Sequence, residues 1–417
     1  MTQQFYKYIV VGAGLAGASA IEGIRERDPE GSILLLGAEK HPPYHRPPLS
    51  KGLWPKKGED RSKLSDLFIL NKDYFLTNKI HWKFATHAIS LDREKKTLTD
   101  NFSNTYHYHK LLLTTGGTPR MLDIPGGNIP ALSYFRTLDD FTKLFKEAQH
   151  GKNAVVVGGG LLGCELAEAL TAKGLEVTML FPEATLCAKI FPDEVGRSLL
   201  QRFRSRGIHI CSEDRPVSFE QKDDHILTRT FSDRELLADI AVVAAGISPE
   251  DSLGKSAGLQ ASHGYDVNEF GQTSDPDIYA AGDCCNFPSA TLSKRLRVEH
   301  WESAKEQGKQ IGRNIAMPSS EALAQPLEKE PYTHLSAFST NLGGISFEGV
   351  GDLDIHLETI AEWDIEYEKG ILYFLSEGKI RGVISCNLPH KMAWARELIK
   401  TQTPLRYLGV SSSLESA

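Results

Sequence analysis

Gly12, Gly14 and Gly17 stand at the spacing G-x-G-x-x-G, and Gly158, Gly160 and Gly163 repeat it in the same chain. Glycines so spaced let a backbone turn tightly, bring amide N–H groups against a pyrophosphate, and seat a helix close on a strand. Both copies have the context that this chemistry requires. Tyr8 to Val11 reads as a short apolar strand before the first turn, and Ala154 to Val157 before the second. Helices are predicted from Ala18 to Arg27 and from Cys164 to Lys173. A helix N-terminus offers unpaired donors and a partial positive charge to phosphate groups. Leu161 and Leu162, inside the second turn, and Gly246 are counted with the second site. Glu39 lies 27 residues beyond Gly12, and Glu183 lies 25 beyond Gly158. That is near the spacing at which a carboxylate accepts from ribose hydroxyls. One such glutamate is commonly a solvated strand end; two at matched positions point to two dinucleotide sites.

A third element separates the two sites. Asp277 to Asp283 is an apolar strand ending in Gly-Asp, which suits close approach to a flavin's ribityl chain, with Asp283 accepting from a hydroxyl. After two glycine turns this points to FAD as one dinucleotide and a nicotinamide dinucleotide as the other. Gly116 and Gly117, after a strand over Lys110 to Thr115, suit a further close backbone approach, and Thr115 and Gly116 are counted with the FAD site.

The elements that must position these residues form an α/β chain. It has two Rossmann-like dinucleotide-binding domains and a C-terminal α+β domain with a small antiparallel sheet. The FAD-binding domain is expected over 1–122 and 247–327, the NAD-binding domain over 123–246, and an interface-like domain over 328–410. Strands are predicted over Lys83 to Leu91, Thr97 to Thr99, Ser336 to Ser339, Ile345 to Val350, Ile360 to Tyr367, Gly370 to Leu375 and Lys379 to Cys386. A last helix is predicted from His390 to Lys400, Pro318 to Glu330 reads as a linker, and 411–417 as a disordered tail.

Composition narrows the function classes. The 417 residues carry a net charge of −7, so no global basic field exists to hold nucleic acid. Lys294-Arg295-Leu296-Arg297 is too short to change that. No apolar run is long enough to span a membrane, and Met1 to Lys7 leads straight into a strand without a targeting pattern. The expected setting is cytoplasmic. The six cysteines form no C-x-x-C pair, which fits reduced thiols, and no metal site is read.

At this point the chain resembles the FAD/NAD-linked reductases of glutathione-reductase type. Within them, Tyr44 to Lys51 (YHRPPLSK) looks like the segment shared by apoptosis-inducing factor and the ferredoxin reductases of oxygenase systems. Gly52-Leu53-Trp54, Thr115 to Arg120 (TGGTPR), Leu180 to Glu183, Lys189 to Pro192 and Arg297 to His300 are similar to the apoptosis-inducing-factor branch. The resemblance implies that Lys51 and Glu165 pair beside the flavin's reactive edge as catalytic residues. An N-terminal carboxylate such as Glu165 is also stabilised by its helix alone.

Arg46 and Arg120 are candidate partners of FAD phosphate or flavin oxygens, because a guanidinium pairs bidentately. Glu299 and His300 precede a helix expected to point at the flavin's pyrimidine end. Trp301 either stacks on a ring or packs in a core. Glu183 repels the 2′-phosphate of NADPH, which favours NADH; Lys189 is expected at the adenosine end.

Departures from the resemblance limit what it carries. Ser339 stands where a tryptophan lies in the family, the long C-terminal insertion is nearly absent, and no mitochondrial presequence is seen. DNA binding and death signalling are therefore not inferred. His41 to Lys51 contains no cysteine, so thiol–disulfide catalysis through that segment is excluded and electrons leave the flavin directly. Three readings follow: an apoptosis-inducing-factor-like NADH oxidoreductase with a quinone, oxygen or protein acceptor; a reductase of ferredoxin or rubredoxin; and an NADH-responsive switch of dimerisation or partner binding. A homodimer is compatible with each.

Overall fold

The computed structural model describes residues 4–54, 64–316 and 328–405. The chain divides into two compact units. The first gathers Met1–His45, Leu64–Thr118 and Pro249–Ser336; the second gathers Arg46–Lys63, Pro119–Ser248 and Ala337–Ala417.

The first unit is built on a seven-stranded sheet. The strands Ile80–Lys83, Ile33–Leu36, Gln4–Val11 and Thr105–Leu113 lie side by side in parallel. Thr97–Asp100 and Ala88–Asp92 extend the sheet antiparallel, and Ile278–Ala280 pairs in parallel with Thr105–Leu113. Val11 stands opposite both Leu36 and Leu113, so the first strand is central. A central parallel strand is covered on both faces and reads as a continuous apolar run. Here Tyr8 and Val10 pack into one core, while Ile9 and Val11 pack into another on the opposite face. The helices Leu15–Arg27 and Trp301–Ile315 cover the first face. They approach closely at Gly308 and Gly312, where a Cβ would meet the carbonyls of Ala16 and Ala20 at 2.3 and 2.2 Å.

The second unit repeats the plan with a five-stranded parallel sheet in the order His209–Cys211, Glu176–Leu180, Asn153–Val157, Ile240–Val243, Ser133–Tyr134. Val157 faces Leu180 and Val243, again making the strand before the glycine turn central. A three-stranded antiparallel sheet, Pro216–Lys222, His225–Thr230 and Glu235–Ala238, is attached. The C-terminal part is a five-stranded antiparallel sheet in the order Ala337–Leu342, Ile345–Gly351, Lys379–Cys386, Lys369–Ser376, Glu358–Ile365. The helix Met392–Lys400 follows it.

The expected α/β class with two glycine-turn sheets and a small antiparallel sheet is what the chain adopts. Two details differ. Both helices after the glycine turns start earlier than expected, at Leu15 and Leu161, because the second glycine itself caps the helix and the third lies inside its first turn. The expected strand over Lys83 to Leu91 is two strands, Ile80–Lys83 and Ala88–Asp92, with Ala85 between them at φ +51°. Most of the expected linker and the whole expected tail lie outside the described residues. No helix among the described residues is long and apolar enough to cross a membrane.

Candidate functional site

In the first unit the three glycines of the turn stand in different surroundings. Gly12 has φ +117°, and a Cβ there would lie 2.1 Å from the Thr114 carbonyl oxygen. Its N–H donates to the Leu36 carbonyl at 2.8 Å, while Thr114 Oγ1 donates to its carbonyl at 2.9 Å. A Cβ on Gly17 would meet the Gly12 carbonyl at 2.2 Å, so only glycine lets the helix sit this close. Gly14 is the opposite case. It caps the Leu15–Arg27 helix in extended geometry without a side-chain cap, and a Cβ there meets no described atom within 4 Å. The helix therefore presents its first-turn amides over open space at the second glycine, as a pyrophosphate requires.

Other expected FAD residues of this unit follow the ends of strands of the same sheet or lie at the start of the Trp301–Ile315 helix. Glu39, just past Ile33–Leu36, accepts from Tyr44 Oη at 2.6 Å. Asp283 follows Ile278–Ala280 and is half-buried. The preceding Gly282 has φ +81° and donates its N–H to Gln307 Oε1 at 2.8 Å. Thr115 Oγ1 donates to the Glu250 carbonyl, and the Gly116 carbonyl accepts from Glu250 N–H at 2.9 Å. Glu299 pairs with Arg297 at 2.5 Å. His300 caps the Trp301–Ile315 helix. Burial pulls its imidazole below the usual range, against the opposing pull of Asp283, Glu299 and Glu302. Trp301 is 46% exposed, so it is not a core tryptophan in this unit.

The second unit reproduces the turn closely. Gly158 has φ +129°, its N–H donates to the Leu180 carbonyl at 2.9 Å, and a Cβ would meet the Ala244 carbonyl at 2.4 Å. Gly163 meets the Gly158 carbonyl at 2.1 Å in the same sense. Gly160 caps the Leu161–Ala172 helix without a side-chain bond, and a Cβ there again meets no described atom within 4 Å. Leu161 and Leu162 open the helix half-buried. Glu183 follows Glu176–Leu180 half-buried, and Lys189 is exposed. Gly246, at φ +92°, accepts from Arg120 N–H at 2.9 Å. Arg46, also of this unit, donates to the Arg136 carbonyl at 3.0 Å.

Lys51 and Glu165, separated by 114 residues, form an ion pair at 3.0 Å. The lysine side chain is 41% exposed and the carboxylate 10%. Local packing anchors the lysine's segment. A short 3₁₀ turn over Pro47–Leu49 precedes it, and Trp54 Nε1 donates to the Leu49 carbonyl at 2.6 Å. The Trp54 ring meets Phe141 edge-on, with centroids 5.5 Å apart. Two further donors reach Glu165: Thr340 Oγ1 to Oε1 at 2.7 Å and Ser50 Oγ to Oε2 at 2.5 Å. Sequence reasoning missed both. Ser50 had a signal, its place beside Lys51; Thr340 had none, since 175 residues separate it from Glu165.

A turn along the same helix, burial pushes the Glu168 carboxyl up although Arg206, at 2.6 Å, opposes the shift. Cys164 and Cys187 bring their sulfurs to 3.9 Å, a pairing no motif announced. Burial pushes the Cys164 thiol well up, which makes it a poor nucleophile. Cys284 and Cys285 are likewise buried free thiols with raised values caused by burial. Among the described residues no cluster suited to a metal occurs.

Both glycine turns therefore fit the phosphates of a dinucleotide. The model of the family described as "pyridine nucleotide-disulphide oxidoreductase" matches residues 6–308. Mitochondrial apoptosis-inducing factor 1 of Dictyostelium discoideum is 30% identical over 94% of this chain and 78% of its own. The ferredoxin–NAD(+) reductase component of the 3-phenylpropionate/cinnamic acid dioxygenase of Photorhabdus laumondii is 29% identical, over 94% of this chain and 95% of its own. Among solved structures, putidaredoxin reductase in its covalent complex with putidaredoxin superposes with a TM-score of 0.87 at 26% identity, covering 96% of this chain and 94% of that one. With two nucleotide turns of matching geometry and a family match across both, this chain belongs to the pyridine nucleotide-disulphide oxidoreductase family and is an FAD-dependent NAD(P)H oxidoreductase.

Proposed function

We propose that the chain takes hydride from NADH at Lys51 and Glu165 and passes the electrons to a small iron–sulfur protein of the ferredoxin class. The observation that carries this is the ion pair itself, set on the helix that opens from the second glycine turn, in a chain with no cysteine from His41 to Lys51. The relatives that are ferredoxin reductases support the acceptor class.

Bound FAD supplies a two-electron acceptor that can release electrons one at a time. Gly12, Gly14 and Gly17 would hold its pyrophosphate, Glu39 its ribose and Asp283 its ribityl chain, with Arg46, Thr115, Gly116, Arg120, Glu299, His300 and Trp301 as further contacts. The Trp301–Ile315 helix would direct its N-terminal amides at negative charge there. Gly158, Gly160, Leu161, Leu162, Gly163 and Gly246 would seat the nicotinamide dinucleotide, with Glu183 on a ribose and Lys189 at the adenosine end. Glu165 orients Lys51, whose ammonium suits charge developing during hydride transfer. In this reading the chain divides into an FAD-binding domain over 1–122 and 247–327, an NAD-binding domain over 123–246 and a C-terminal domain over 328–410.

Glu183 carries the preference between nicotinamide nucleotides. Glu183→Ala is expected to raise kcat/KM for NADPH relative to NADH by about tenfold, as removal of one like-charge contact does. Steady-state kinetics with both donors checks this; an unchanged ratio removes Glu183 from the ribose site.

A second reading, an oxidoreductase resembling apoptosis-inducing factor with a quinone or oxygen as acceptor, is favoured by the 30% identity to the Dictyostelium protein. Anaerobic reduction with NADH followed by a panel of acceptors separates the two. Turnover of about 10 per second or faster with a [2Fe–2S] ferredoxin or a rubredoxin, within the usual enzyme range, supports the first. Slow turnover with every protein acceptor and efficient turnover with a naphthoquinone support the second. Slow turnover throughout, with a larger hydrodynamic size after NADH, supports a redox switch and overturns both.

A further inference from the structure

Three donors from two distant chain segments converge on one carboxylate in the second unit. Glu165 Oε1 accepts from Lys51 Nζ at 3.0 Å and from Thr340 Oγ1 at 2.7 Å, while Oε2 accepts from Ser50 Oγ at 2.5 Å. We propose that Ser50 and Thr340 are positioning residues for hydride transfer: their hydroxyls lock the Glu165 carboxylate in the orientation that holds Lys51. This rests on the reading of Lys51 and Glu165 as members of the hydride-transfer site.

The terminal torsion of a glutamate is broad and roughly two-fold, so a single donor leaves the carboxylate plane loosely defined. A donor on each oxygen removes that freedom. Bonds to an ionised acceptor are about twice as strong as neutral ones, so the hydroxyls hold firmly. Lys51 needs that support. Its stem is flexible, its side chain is 41% exposed, and its further contact with the Ser339 carbonyl is long, at 3.5 Å. An exposed lysine–carboxylate pair without further anchoring contributes little and wanders.

Neither hydroxyl is demanded by the fold. Thr340 lies on the edge strand Ala337–Leu342, opposite Phe347, where valine has the same shape and an equal strand preference. Ser50 has a second acceptor, the Pro47 carbonyl at 3.3 Å, but its single proton is drawn to the shorter, charged contact. Through Thr340 the C-terminal sheet contributes directly to the helix of the nucleotide turn.

The test uses the FAD-loaded full chain with Ser50→Ala, Thr340→Val, the conservative Ser50→Thr and Thr340→Ser, and Lys51→Met as reference. Two readouts are taken. One is the limiting rate and apparent Kd of flavin reduction by NADH in anaerobic stopped flow. The other, independent of activity, is labelling of Lys51 by limiting acetic anhydride, read by peptide mass spectrometry. Thr340→Val and Ser50→Ala are each expected to lower the limiting rate about tenfold while the apparent Kd stays within about threefold, the pattern of a lost transition-state interaction. Lys51 labelling should rise about threefold as the ammonium is released, with Thr340→Ser restoring both readouts. Native rates and labelling in both hydroxyl variants, with Lys51→Met slow, overturn the proposal and leave the role of Lys51 standing. A native rate in Lys51→Met overturns the reading beneath it as well. A rate loss that Thr340→Ser does not restore, or one that tracks a fall in melting temperature, assigns the hydroxyls to packing and overturns the proposal.

Discussion

The Glu165→Ala protein is expected to remain yellow with bound FAD and to be reduced by NADH about a hundredfold more slowly than the native chain, the scale on which one electrostatic contact to developing charge acts. The carboxylate lies on the Leu161–Ala172 helix and is not among the residues assigned to the FAD phosphates, so flavin content should not change. Alanine removes the acceptor of three donors, leaving the Ser50 and Thr340 hydroxyls to find water and Lys51 to lose its partner. The melting temperature should therefore fall modestly, because the donors are only part-buried and water can replace the carboxylate. Lys51→Met should slow reduction by a similar factor, and the double variant should be hardly slower than either single one. Residues acting as a unit are non-additive. Anaerobic stopped-flow reduction monitored at the flavin absorbance gives all three rates. A native rate in Glu165→Ala takes this pair out of the active site.

The sequence carried most of the frame and only part of this pair. The two glycine turns were legible because each glycine answers to a local constraint, a strand register or a helix cap, which leaves a fixed spacing. The strands over Tyr8 to Val11 and Ala154 to Val157 were legible because burial on both faces forces continuous apolar runs. Lys51 and Glu165 were reached through resemblance, since a residue pair 114 positions apart has no spacing rule. Thr340 was invisible for the same reason: its hydroxyl reaches Glu165 across 175 residues of sequence, from a C-terminal edge strand to the Leu161–Ala172 helix. Cys164 and Cys187 escaped notice because tertiary packing, not a C-x-x-C motif, brings their sulfurs together. Helix starts were misjudged by three residues at both turns, Ala18 against Leu15 and Cys164 against Leu161. Glycine's poor helix propensity reads as a break, although packing against the strand carboxyl end decides the matter.

The second large effect separates what the glycines do for the fold from what they do for the ligand. Gly12→Ala should cost the first unit its stability and its flavin together. At φ +117° an L side chain is strained, and its Cβ would stand 2.1 Å from the carbonyl oxygen of Thr114, a residue whose backbone N–H is tied to the Val11 carbonyl at 2.8 Å. Strain plus overpacking of this kind costs about 3 kcal/mol or more, a large share of a domain's stability. Gly14→Ala should behave differently. Gly14 is extended, at φ −92°, and its Cβ meets no described atom, so the chain should fold and melt as the native apoprotein does. Yet that Cβ projects where a pyrophosphate must approach the amides, so the protein should emerge colourless. The second turn repeats the contrast. Gly158→Ala should unfold the parallel sheet around Val157, whereas Gly160→Ala should give a folded, yellow protein with NADH affinity reduced about a hundredfold, as loss of a close phosphate contact implies. Flavin absorbance, calorimetric melting and NADH titration of the four variants distinguish these outcomes. A yellow Gly14→Ala with native flavin content would place the FAD pyrophosphate elsewhere. A colourless Gly160→Ala would reverse the assignment of the two nucleotides.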